Sequence, residues 1–168
     1  MTQPPSVPRP GHYTCFAVAA PGLAPFVQRE LHDLGISTAA ICLDGVLFDA
    51  EPATLYRANL WLRTASRILV RIGIFHAAAF YELERQAARI PWTRFVGQGA
   101  PVVVRVTCRK SRLYHSDAVA ERVLRVITHA TGARAAKKAE DDETTGMDVA
   151  APTQLVVARL VRTGQPDL

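Results

Sequence analysis

The sequence predicts a chain of two mixed α/β units, a β-α-β-β-α-β unit followed by an α/β unit with parallel strands. Three observations carry this. Over residues 13–77, short apolar runs alternate with segments of helical spacing in that order. An Asp-Gly pair joins the two middle runs. In the second half, one long amphipathic segment separates two β-branched runs.

In the first unit, TCFAVAA (14–20) is an apolar, β-favouring run closed by Pro21-Gly22, and reads as a buried strand. Leu23, Phe26, Val27, Leu31 and Leu34 then recur at helical spacing, with Gly35 where a C-cap belongs. TAAICL (38–43) and VLFDA (46–50) flank Asp44-Gly45, a strong short hairpin signal. Pro52 suits the first turn of a helix running through LYRANLWLR. RILVRIGIFHA (67–77) alternates as a long strand would. The order is the ferredoxin-like split βαβ pattern. Trp61, at helical spacing among Arg57, Arg63, Arg67 and Arg71, reads as a core residue rather than a base-stacking platform.

In the second unit, FYELERQAARI (80–90) reads as a helix ended by Pro91, and PVVVRVTC (101–108) as a strand. Residues 116–131 form the clearest helix. Val119, Val123, Val126, Ile127 and Ala130 make its apolar stripe, while Arg122, Arg125 and His129 share the opposite face. Ser116 is the expected N-cap, with Asp117 in the first turn. Residues 132–153 read as a flexible loop and 154–163 as a last strand, parallel to 101–108 because a helix separates the two. The expected organisation is a disordered Pro-rich lead (1–12), a first domain (13–77) and a second (78–168). The last strand has nothing after it to complete its sheet, which suggests a missing C-terminal segment.

Composition narrows the function. The 168 residues carry 20 Lys+Arg and 15 Asp+Glu, and 49% are apolar, which is globular usage. No apolar run approaches the roughly 18 residues of a membrane span, and the N-terminus lacks the apolar core of a secretory signal. Cys15, Cys42 and Cys108 are scattered and odd in number, which argues against a disulfide framework or a structural zinc and fits a reducing, cytoplasmic compartment. Gly-rich nucleotide loops, a nucleophile elbow and the HExxH metal motif are all missing. The five histidines pair with no nucleophile; His115 beside Ser111 or Ser116 is adjacency, not a triad. Asp141, Asp142 and Glu143 read as a solvated loop rather than a metal site.

Charge is distributed unevenly. Residues 1–56 carry −3 and 139–168 carry −4, while 57–104 carry +5 and 105–138 carry +7. A basic middle between acidic ends is what a polyanion-binding face leaves in a sequence. The sharpest segment is VTCRKSRLYHS (106–116), which sets Arg109, Lys110, Ser111 and Arg112 where a strand leads into a helix N-terminus. Free backbone N–H groups there, with guanidinium and ammonium groups, suit phosphate. Tyr114 and His115 add flat rings able to stack on an unpaired base. Arg122 and Arg125 extend the positive surface along the helix, and Lys137 and Lys138 (with Arg134) extend it into the next loop. Each also has a plain reading as a solvated polar residue.

The run FAVAAPGL…QRELHDLG…DGVLFDA…LYRANLWLRTASRILVRIGIF resembles the N-terminal ferredoxin-like domain of the THUMP-containing RNA methyltransferases that modify guanine N2 in bacterial 23S rRNA or in tRNA. IPWTRFVGQGAPVVVRVTCRKSRLYHSDAVAERV resembles the THUMP domain of the same family. The resemblance spans roughly residues 13–163, and RANLWLRTASRI and CRKSRLYHSDAVAERV are its most specific pieces. It implies a ferredoxin-like domain followed by a THUMP domain lacking its last strand, and a role in capturing structured RNA, rRNA or tRNA. It also implies an S-adenosylmethionine-dependent catalytic domain in cis, whose glycine-rich loop and Asn/Asp-Pro-Pro-aromatic motif have no counterpart in these residues, so no cofactor site and no catalytic residue is expected within them. A stand-alone RNA-binding adapter for a separate modifying enzyme shares every residue argument, and an interaction module that ignores nucleic acid shares the fold.

Overall fold

The computed structural model describes residues 11–42, 44–109, 115–136 and 153–161. The chain divides into two compact units, the first ending at Ile74 and the second beginning at Phe75.

The first unit runs β1 (Tyr13–Ala19), α1 (Ala24–Asp33), β2 (Ala40–Cys42), β3 (Gly45–Ala50), α2 (Pro52–Trp61) and β4 (Ala65–Val70). The sheet order is β2-β3-β1-β4, antiparallel throughout. Strand β1 is thus inserted between strands joined by a helix, as the split βαβ pattern requires. One face of the sheet carries Cys15, Ala17, Val46 and Phe48, all buried together with Val27 and Leu31 of α1 and Ala58 of α2. Helix α1 ends in a Schellman motif. Ile36 N–H donates to Leu31 O and Gly35 N–H to His32 O, and Gly35 holds the positive φ of 83° that the motif needs. The Asp-Gly hairpin forms as expected, with Cys42 opposite Gly45.

Three expectations are corrected here. The strand over 67–77 ends at Val70. Its neighbour β1 begins at Tyr13, so the last rung is Arg71 N–H to Thr14 O and the residues beyond have no partner strand. Phe26 does not join the buried stripe of α1 and stands 58% exposed. Trp61 is not core: it is 60% exposed.

The second unit runs α3 (Phe80–Ala87), a short 3-10 turn (Trp92–Arg94), β5 (Pro101–Arg109), α4 (Ser116–Thr131), β6 (Arg134–Ala135) and β7 (Gln154–Val161). Its sheet has the order β6-β5-β7, with both pairings parallel. The parallel pairing expected for β5 and β7 is present, in register from Val102–Gln154 to Arg109–Val161. Helix α3 ends three residues before the expected 90, because Pro91 disfavours helix at the residue before it and the chain tightens into Arg89–Gln86 and Ile90–Ala87 turns. Strand β6 was not foreseen; it lies within 132–153, read from sequence as loop, and of that stretch 137–152 lies outside the described residues.

Helix α4 has the expected bounds but a different cap and stripe. His115 occupies the N-cap, no side chain caps the helix, and Ser116 is its first residue. The buried positions are Val119, Val123, Ile127 and Thr131, a straight i, i+4 row facing the sheet. Ala130 is exposed. Thr131 is tolerated because its hydroxyl donates to Ile127 O and accepts from Ala133 N–H. Gly132, at φ 67°, closes the helix in the left-handed conformation. Trp92 is buried and donates its indole N–H to Ala87 O at 2.8 Å.

Candidate nucleic-acid interface

Strand β5 carries the basic run to the mouth of α4. Arg109 closes β5 opposite Val161. Lys110, Ser111, Arg112 and Tyr114 follow, and with Lys137 and Lys138 they lie outside the described residues. The chain re-enters at His115, which is exposed and whose carbonyl accepts the first helical bond from Val119 N–H. Among the described residues no side chain caps the first amides of this sixteen-residue helix, and Asp117 is the one acid of its first turn.

The polar stripe of α4 is not wholly open, because α3 packs along its flank. Arg122 is about one-third exposed, donates to Glu84 of α3 at 2.7 Å, and lies 4.5 Å from the centre of the Phe80 ring. Arg125 is well exposed and, among the described residues, pairs with Glu121 one turn back at 2.9 Å. Between α3 and α4 lies an open cleft of about 350 Å³. Ala88, Val126 and Ala130 form its apolar floor, and Glu84, Arg85, Arg125 and His129 line the rest. So Arg125 and His129 share one accessible surface as expected from spacing, whereas Arg122 is turned to a helix–helix contact. Nothing in the sequence pattern signals the Glu84–Arg122 pair, whose members are 38 residues apart. Arg85 was not singled out, because spacing along α3 does not show which of its residues face α4.

Helix α3 is itself held by its own acid. Glu82, in the first turn, accepts from Ala78 N–H at 2.7 Å. That bond is the main reason its carboxyl lies below the usual range. Among the described residues no group of His, Cys, Asp and Glu could hold a metal ion.

Comparison with known proteins agrees with this architecture. Residues 14–69 match the RlmL ferredoxin-like domain. The chain is 36% identical over 117 residues to the ribosomal RNA large subunit methyltransferase K/L of Methylococcus capsulatus, covering 65% of this chain and 16% of the relative. Among solved structures it is similar to a predicted N6-adenine-specific DNA methylase from Listeria monocytogenes, with a TM-score of 0.73 and 24% identity over 89% of this chain and 38% of that one. It is also similar to TrmN from Thermus thermophilus, with a TM-score of 0.62 and 21% identity over 87% of this chain and 42% of that one. These likenesses show the fold. The chain spans about a sixth of the rRNA methyltransferase it matches and about two-fifths of the solved chains.

Proposed function

We propose that this chain is the RNA-capturing portion of an S-adenosylmethionine-dependent methyltransferase that modifies guanine N2 in rRNA or tRNA, with its catalytic domain in cis and the cytoplasm as its compartment. The observation that carries the reading is the uncapped N-terminus of α4, set directly after the basic run that begins at Arg109. A helix N-terminus that follows cationic residues directly in the sequence is the chemistry of phosphate recognition. The match of residues 14–69 to the RlmL ferredoxin-like domain, and a relative named as an rRNA methyltransferase, support RNA as the polyanion. The described residues contain no helix long and apolar enough to cross a membrane, which is compatible with that compartment. In this reading Arg109, Lys110, Ser111 and Arg112 hold phosphates, and Tyr114 and His115 stack on a splayed base. Arg125, Lys137 and Lys138 extend the contact. Arg122 acts through Glu84, fixing α3 against α4.

A filter-binding titration with tRNA and rRNA fragments tests this. Three phosphate contacts lower affinity about 40-fold between 50 and 200 mM salt. An affinity that does not respond to salt, or no affinity for either RNA, rejects the reading.

A further inference from the structure

Helix α2 of the ferredoxin-like unit is apolar on both sides, which a helix on a two-layer fold does not need. Its inward stripe, Leu55, Ala58 and Leu62, packs on the core. The opposite stripe, at i, i+3, i+4, i+7 and i+8, carries Ala53, Tyr56, Arg57, Leu60 and Trp61. Tyr56 is 71% exposed, Leu60 80% and Trp61 60%. Large side chains left this open, next to one another on one face, mark a binding surface rather than scattered surface apolars.

The charges around the patch say what it binds. Arg57 and Arg63 are both exposed, and among the described residues neither has a carboxylate within ion-pair distance. Arg57 makes only a long 3.5 Å contact to Leu34 O. The acid that does reach this end of α2 is already engaged. Glu30 accepts from the Thr64 hydroxyl at 2.9 Å and from the amides of Arg63 and Thr64. Glu51 sits at the N-cap, the far end of the helix from Trp61 and Arg63. Two aromatic faces with two uncompensated guanidinium groups match a polyanion that presents π-surfaces. A duplex hides its base faces, so the match is to unpaired nucleotides.

We propose that the outer face of α2 is a second RNA contact, on which Tyr56 and Trp61 stack unpaired bases while Arg57 and Arg63 hold the flanking phosphates. This rests on the reading of the chain as RNA-binding and adds a single-strand site to it. The chain has two tryptophans, and Trp92 is buried, so fluorescence quenching by an oligonucleotide reports Trp61. The probes are a twelve-nucleotide oligouridylate and a blunt RNA duplex of the same length, titrated into the full chain. The expected result is quenching by the oligouridylate that is absent in Trp61→Phe. Tyr56→Ala and Trp61→Ala each weaken single-strand affinity about tenfold, leave duplex affinity unchanged, and leave the thermal melt unchanged because both side chains are exposed. Tight RNA binding with no quenching and no loss in either alanine variant overturns the α2 site while leaving the RNA reading intact. No binding of either probe overturns both. A dimer that Trp61→Ala dissociates, with no quenching by the oligouridylate, overturns the α2 site in favour of a second copy of the chain.

Discussion

Replacing Arg122 with alanine separates the work this residue does inside the fold from any work it does on a ligand. The guanidinium and the Glu84 carboxylate are each about one-third exposed and 2.7 Å apart. A pair that open to water contributes about 0.5–1 kcal/mol, at the upper end of the surface range. The Phe80 ring lies 4.5 Å below the guanidinium and adds about 0.5–1 kcal/mol. Removing both therefore destabilises the second unit by about 1–2 kcal/mol, a fall of about 5–10 °C in its melting temperature. Urea unfolding followed by circular dichroism measures it, and a double-mutant cycle with Glu84→Gln isolates the ion pair at about 0.5–1 kcal/mol. The same variant loses little RNA affinity once folded, because Glu84 already engages the charge. A variant of full stability with sharply reduced RNA affinity refutes this reasoning, since Arg122 then contacts phosphate and not α3.

Two further outcomes follow from the first unit. Burial, with a smaller contribution from Asp49, pushes the Cys15 thiol up to about 12, so it stays protonated where an unfolded thiol ionises near 9.0. Its contribution to stability is complete below pH 9 and is lost as pH rises toward 12, seen as a falling urea midpoint that Cys15→Ala flattens. In the native chain at pH 8, a thiol reagent labels the half-buried Cys42 and not Cys15. At Gly45, an added methyl group overlaps the Ala17 carbonyl oxygen across the β1–β3 pair. Gly45→Ala therefore costs about 2–3 kcal/mol, and a melt indistinguishable from the parent contradicts the close approach.

The topology of both units was legible from periodicity and punctuation. Gly35, Asp44-Gly45, Pro52 and Pro91 each mark a boundary by a local mechanism, and the β-branched run at 101–108 needs no tertiary information to read as strand. What failed depended on neighbours. Strand β4 stops where its antiparallel neighbour β1 begins. Strand β6 exists because the edge of β5 is open to two residues after α4. Thr131 replaces Ala130 in the buried row because its hydroxyl finds two partners within its own helix end. Trp61 was assigned to the core by its type, yet Leu55, Ala58 and Leu62 occupy that face of α2. The basic junction after β5 was legible because its residues are contiguous. The cleft was not, because Arg85 and Glu84 reach it from another helix.

The central claim is that cations at the junction between β5 and α4 bind RNA phosphate. The measurement that tests it most directly is the salt dependence of tRNA affinity in a chain with Arg109, Lys110 and Arg112 all changed to glutamine. The slope of log affinity against log salt then becomes shallower by about 2–3, roughly one per lost contact. A slope and an affinity equal to those of the unaltered chain contradict it.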